Sequence, residues 1–188
     1  MQNQFKKMAL ILALISGIGI NARAQSEGST GIRYSIGVDG GLPVSNLSNN
    51  YKWSLGGSIQ ADLPIIDEQF YITINTGYNN IFAEKKANIN IPDVHLIPVK
   101  VGLKYFAVAN FYVQGEAGVS FILNDGPLLN KSASFTWVPQ IGYLIPVGAK
   151  GFIDAGFRFE GNGKFYDGGK SNKFLGLRIA YAFPLGDN

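Results

Sequence analysis

From Gly31 onward apolar and polar residues alternate with a period of two, carried by eight segments at about 31–42, 52–63, 70–81, 95–106, 111–122, 134–145, 151–160 and 174–184. Successive side chains of a strand point to opposite faces, so this period predicts strands rather than helices. Val, Ile, Tyr, Phe and Gly are enriched in the segments, and glycine is too frequent inside them for helices to compete. The stretches between, 43–51, 64–69, 82–94, 107–110, 123–133, 146–150 and 161–173, alternate long and short without exception. An antiparallel meander closed on itself, with short turns at one rim and long loops at the other, has this form.

The two faces differ in kind. One phase holds small and polar residues such as Ser35, Gly37, Ser58, Gln60, Thr73, Asn75, Gly102, Gln114 and Gln140, together with ten charges. The other phase has no charge and contains 38 mostly bulky residues, among them Ile36, Leu55, Ile72, Val101, Val113, Ile141, Phe157 and Leu177. Alternation by itself does not say which phase points inward, but volume does. An eight-stranded barrel is filled by roughly a dozen side chains. Thirty-eight bulky residues do not fit inside. The apolar phase must therefore face outward, into lipid. Aromatic residues gather toward the strand ends, including Tyr34, Trp53, Phe70, Tyr105, Trp137, Phe159 and Tyr181, where rings would lie at the two headgroup levels. The predicted fold is all-β, an eight-stranded antiparallel up-and-down transmembrane β-barrel spanning 25–188. On this phase Val101 faces lipid and should reject a charge, whereas Gly102 faces the lumen and should accept a small side chain.

The first 24 residues read differently. A basic start at Lys6 and Lys7, an apolar stretch from Met8 to about Ile20 and the small-x-small end Ala22-Arg23-Ala24 form the layout of a secretory signal peptide over 1–24, with cleavage expected after Ala24. The apolar stretch is short of the roughly 20 residues a membrane helix needs. The chain carries 16 basic and 13 acidic residues, and three of the basic ones lie in that leader, so the basic balance is no argument for nucleic acid. With no cysteine, disulfide scaffolds, thiolate metal sites and cysteine catalysis are excluded.

Four stretches carry a resemblance: His95-Leu-Ile-Pro-Val-Lys-Val-Gly-Leu-Lys-Tyr-Phe106, Phe111-Tyr-Val-Gln-Gly-Glu-Ala-Gly-Val-Ser-Phe121, Gly151-Phe-Ile-Asp-Ala-Gly-Phe-Arg-Phe-Glu160 and Phe174-Leu-Gly-Leu-Arg-Ile-Ala-Tyr-Ala-Phe183. Across 31–183 the chain resembles the outer-membrane β-barrel domain family, the small OmpX-like and OmpA-like barrels of the porin family. The resemblance implies location in the bacterial outer membrane, and Tyr181 and Phe183 look like the terminal strand signal read by the outer-membrane assembly machinery. Here the chain runs on through Pro184 to Asn188, whereas the family's signal stops at the aromatic. The family supplies no catalytic residue.

The inward phase has five basic residues, Arg33, Lys100, Lys104, Arg158 and Arg178, and five acidic ones, Asp39, Asp62, Glu116, Asp154 and Glu160. Equal numbers allow each buried charge a partner, so a structural charge network filling a narrow lumen is expected. The short turn at 107–110 sets Glu116 opposite Gly102, diagonally between Lys100 and Lys104, and the 43–51 loop sets Arg33 near Asp62. Glu116 is thus expected to hold the network together. His95 is the one candidate general base; it sits at the apolar-phase end of its strand with Ile97, not serine, two residues on, which fits an interfacial histidine. No phosphate-binding loop or HExxH metal motif is present, and no cofactor is implied. Asn46 and Asn130 head sequons of chance frequency. The long-loop rim carries Lys52, Lys85, Lys86, Lys131, Lys164, Lys170 and Lys173 against Glu84, Asp93, Asp125 and Asp167, a basic surplus that would suit lipopolysaccharide phosphates. The residues therefore predict a non-enzymatic, monomeric outer-membrane barrel acting in envelope structure or in surface interaction through its loops. A narrow porin for small solutes, a lipid A or phospholipid hydrolase and a soluble lipocalin-like binder are the alternatives.

Overall fold

A computed structural model describes residues 31–44, 48, 50–66, 69–84, 92–124, 131–147, 150–164 and 171–185. The leader at 1–24, the sequons at Asn46 and Asn130, and Lys85, Lys86, Asp125, Asp167 and Lys170 lie outside the described residues.

Eight strands follow one another: β1 (Ile32–Val44), β2 (Tyr51–Ile66), β3 (Phe70–Ala83), β4 (Val94–Val108), β5 (Phe111–Ile122), β6 (Ala133–Val147), β7 (Gly151–Asn162) and β8 (Asn172–Leu185). Each pairs antiparallel with its neighbours in sequence, and β1 pairs with β8 from Ile32↔Leu185 to Val44↔Lys173, which closes the barrel. Closure leaves no sheet edge, so the backbone hydrogen-bonding groups of the wall are satisfied without water. At one rim the connections are two or three residues long, at the other six to ten, as the alternation of the sequence predicts. The tightest is Ala109-Asn110, where Ala109 takes a positive φ of 23° to reverse the chain between Val108 and Phe111.

Following the register around the wall, Tyr34 leads through Ala61, Ile74, Val101, Ala117, Trp137, Gly161 and Lys173 back to β1 at Val44, ten residues further on. That stagger tilts the strands and narrows the interior to a lumen that side chains fill. It also places groups from distant strands at one height, and most of the lumen contacts depend on this.

The outer face is the apolar phase. Ile36, Val101, Leu103, Phe135, Leu177 and Ile179 are each 58–60% exposed around the girth. Rings stack at both ends of this belt: Phe70 on Tyr105 and Tyr34 on Phe183 at the short-turn rim, Trp53 on Phe82 and Trp137 against Phe159 at the long-loop rim. The inner face is polar at mid-height and apolar at both ends. Ile81, Val94, Leu96, Ile122 and Phe174 cluster at the long-loop end, and Tyr71, Phe106, Tyr112 and Leu144 at the short-turn end.

One expectation about the lumen face is overturned. Gly102 faces inward, but a Cβ there would stand 2.1 Å from the Gly115 carbonyl oxygen and 2.9 Å from Glu116 Cγ. The glycine lets β4 and β5 approach closely and does not mark spare space, so a side chain at 102 is not neutral.

Candidate functional site

The chemistry of the chain is concentrated in the lumen. All ten charged residues of the inward phase lie there, and Asp62, Lys100, Lys104, Glu116, Asp154, Arg158 and Arg178 are buried.

Near the short-turn end, β2, β4, β5 and β7 converge on one cluster. Lys104 Nζ donates to Asp62 Oδ2 at 2.6 Å, lies 3.7 Å from Asp154 Oδ2, and sits 4.5 Å from the centre of the Tyr112 ring. Asp62 Oδ1 accepts from Gln60 Nε2 at 2.7 Å, and Asp154 Oδ1 from the Tyr112 hydroxyl at 2.5 Å. Gln140 Nε2 donates to the same hydroxyl at 2.6 Å. A Cβ at Gly142 would meet the Tyr112 ring at 2.3 Å, so glycine on β6 is what admits this tyrosine to the lumen.

Arg178 of β8 links this cluster to a second level. Its Nη1 donates to Asp154 Oδ2 at 3.2 Å, its Nε to Ser58 Oγ at 3.2 Å and its Nη2 to Ser35 Oγ at 3.0 Å. The guanidinium also lies 3.8 Å from Asp39, which forms an ion pair with Arg158 Nη1 at 2.9 Å. Arg158 Nε donates to Gln140 Oε1 at 3.0 Å. Seven of the ten sequence-designated charges are thus brought close together or into one chain: Asp62, Lys104, Asp154, Arg178, Asp39 and Arg158 directly, with Glu160 beside Asp39 and Arg158 at a lumen cavity and accepting from Asn162.

The remaining three, Lys100, Glu116 and Arg33, meet the expectation only in part. Glu116 stands opposite Gly102 as the turn length predicts, but among the described residues its ion pair is with Lys100 alone, at 3.2 Å. Lys104 turns away from it across the lumen to Asp62 and Asp154. Arg33 pairs in register with Asp62, yet its guanidinium lies over three rings, 5.3 Å from Tyr71 and 5.5 Å from both Phe106 and Phe152. Among the described residues no carboxylate comes within ion-pair distance of it. A cation against ring faces retains electrostatic stabilisation without a carboxylate. The physical reason for both corrections is reach: long side chains cross a narrow lumen to groups two or three strands away, and register between neighbouring strands does not constrain that choice.

The apolar ends of the lumen were not read from the sequence, although a signal was present. Tyr71 lies two residues before Thr73, Phe106 two after Lys104, Tyr112 two before Gln114 and Leu144 two after Gly142. Extending the inward phase to the strand ends finds all four.

His95 lies outside the lumen, on the outer face of β4. Its Nδ1 is 2.6 Å from the Tyr78 hydroxyl, the two rings stack, and its backbone N–H donates to Asn124 Oδ1 at 3.0 Å. The hydroxyl placed on it is a tyrosine's, not that of a serine nucleophile. Among the described residues no three His, Asp or Glu side chains gather as a metal-ligand set.

The closed eight-stranded meander is shared with solved structures. Neisserial surface protein A superposes with a TM-score of 0.55 at 17% identity, over 85% of this chain and 100% of that one. The outer membrane protein OprG of Pseudomonas aeruginosa gives 0.54 at 9% identity, over 85% and 99%. The attachment invasion locus protein Ail of Yersinia pestis gives 0.52 at 13%, over 82% and 100%. This chain has the fold of the small outer-membrane barrels. No protein-family model matches it. No curated protein matches it in sequence.

Proposed function

We propose that the chain is an integral protein of the bacterial outer membrane, a small non-enzymatic barrel that acts as a monomer in envelope structure or in surface interaction through its long loops. The observation that carries this reading is a filled lumen inside an uncharged wall. Large apolar side chains at 58–60% exposure around the girth are stable against lipid and costly against water. Within, Tyr71, Tyr112, Lys104 and Arg178 are at most 1% exposed, which supports a lumen packed with side chains. A lumen closed by paired charges between two apolar clusters serves to hold the wall rather than to pass solute, which leaves the loops as the variable, water-facing part of the molecule. Lysines at the long-loop rim would meet lipopolysaccharide phosphates, and the aromatic pair Tyr181 and Phe183 on β8 would be read by the outer-membrane assembly machinery.

Two measurements on one preparation test the reading. Purified outer membranes should contain the protein as a band whose gel mobility shifts on boiling, and the same protein in planar bilayers should give no conductance steps. Recovery as a soluble periplasmic species would overturn the membrane assignment. Stable conductance steps would promote the narrow porin.

A further inference from the structure

Lys104 is held more elaborately than an ion pair requires. Its Nζ is 2.6 Å from Asp62 Oδ2, and the other oxygen of that carboxylate accepts from Gln60 Nε2 at 2.7 Å. A second carboxylate stands beside the first, with Asp154 Oδ2 at 3.7 Å from the same nitrogen. Asp154 is itself fixed from two sides, by the Tyr112 hydroxyl on Oδ1 at 2.5 Å and by Arg178 Nη1 on Oδ2 at 3.2 Å. The side chains of Lys104, Asp62 and Asp154 are at most 3% exposed. The Tyr112 ring covers the nitrogen at 4.5 Å, and Tyr71, Phe106 and Leu144 pack with that ring at this end of the lumen.

An amine, a carboxyl group and a proton carrier fixed together away from water are the parts of an amide condensation. We propose that Lys104 and Asp62 join in an intramolecular isopeptide bond with Asp154 as the proton carrier, the geometry above being that of the pair before condensation. A buried ammonium and carboxylate can exchange two charges for two neutral groups by passing one proton, and the 2.6 Å hydrogen bond is the route from Lys104 Nζ to Asp62 Oδ2. The freed Nζ lone pair then forms a bond to Asp62 Cγ. Negative charge gathers on Asp62 Oδ1, where the Gln60 N–H already donates. Asp154 Oδ2 takes a second proton from Nζ and delivers it to Asp62 Oδ2, the Cγ–Oδ2 bond breaks, and that oxygen leaves as water. Nζ keeps one hydrogen as the amide N–H, Oδ1 becomes the amide oxygen, and Asp154 ends as it began. One cation and one anion are consumed together, so Asp154 and Arg178 remain a balanced pair, and no oxidant or reductant enters.

The other buried lysine serves as an internal control. Lys100 lies 3.2 Å from Glu116, but among the described residues no second carboxylate comes within ion-pair distance of it, and neither Glu116 oxygen has a hydrogen-bond donor to hold developing charge. The bond therefore belongs at Lys104 and not at Lys100. It would link β2 to β4 past β3, between residues 42 apart in sequence, as a covalent strap inside the wall. A neutral amide in place of a buried ion pair also removes two charges from a site where they are costly to hold, and a cross-link restricts the unfolded chain.

The test is mass spectrometry of the folded barrel purified from membranes, and its outcome is independent of whether the barrel conducts. The intact mass should fall one water below that of the mature sequence, and digestion of the unfolded chain should yield a branched peptide in which Lys104 is joined to Asp62. Asp154→Asn keeps both reacting groups but cannot carry the proton, so it should show the full mass and linear peptides while the gel shift on boiling is retained. Full mass with linear peptides in the unaltered protein would overturn the proposal. So would a deficit that maps elsewhere, such as a succinimide at Asp39-Gly40, a Lys100–Glu116 branch, or an undiminished Lys104–Asp62 branch in folded Asp154→Asn. Should Asp154→Asn not fold, the peptide map of the unaltered protein decides alone.

Discussion

The lumen contains two buried ion-pair arrangements of opposite design. At the short-turn end each charge has several partners: Lys104 touches two carboxylates and a ring face, and Asp154 receives Arg178, the Tyr112 hydroxyl and Lys104. At mid-height Lys100 and Glu116 have one another, at 3.2 Å, and neither Glu116 oxygen has a hydrogen bond of good geometry. A charge removed from water loses more than one contact returns, so partner number and alignment decide whether a buried pair stabilises the fold. The first arrangement ties β2, β4, β7 and β8 together across the lumen. The second joins only the adjacent strands β4 and β5, which the backbone ladder already joins.

The contrast predicts unequal costs. Asp154→Asn, which leaves Lys104 and Arg178 short of a carboxylate, should lower stability by about 3–5 kcal/mol, read as the urea midpoint in lipid vesicles. Val101→Arg, outside the wall and 58% exposed there, should cost about 2–4 kcal/mol by placing a guanidinium in lipid. A cost for Val101→Arg near zero in the same assay would mean the outer face is not embedded. Gly102→Ala tests the close approach of β4 to β5 and should cost about 1–3 kcal/mol. Glu116→Gln should cost less than Asp154→Asn, about 1–2 kcal/mol, and adding Lys100→Met should return much of the loss because the orphaned cation is gone. Were Glu116→Gln to cost as much as Asp154→Asn, the two arrangements would be equivalent and the comparison would fall. The smallest effect is assigned to Gly115→Ala: its Cβ would meet nothing within 4 Å on the lipid side, so the midpoint should move by no more than about 0.5 kcal/mol.

Glu116 separates what register determines from what side-chain reach determines. The register Gly102↔Glu116 keeps the apolar phase outside, and a register shift between Phe106 and Val108 reconciles it with the two-residue reversal at Ala109-Asn110. From there the diagonal neighbours Lys100 and Lys104 were both plausible partners, and only Lys100 is one. Lys104 has a long flexible stem and chooses among every carboxylate at its height, including Asp154 on a strand that is nowhere near it in sequence. Gly102 failed in the opposite way. Its phase was legible, but the distance between two coiled strands was not, and that distance is what forbids a Cβ.

What the sequence determines by itself is everything that depends on a local period: eight strands, their inward and outward phases, long and short connections in alternation, and rings at the strand ends. A period-two pattern specifies the face of each residue as soon as the strand forms, so these features need no knowledge of the whole. Tertiary structure decides what lies opposite what across the lumen. The ten-residue stagger of the closed wall sets which heights coincide, and so brings Lys104 to Asp62 and Asp154, Arg178 to Ser35 and Ser58, and Arg33 to three rings. Closure is a property of all eight strands together, and pairings that depend on it are invisible in any one of them.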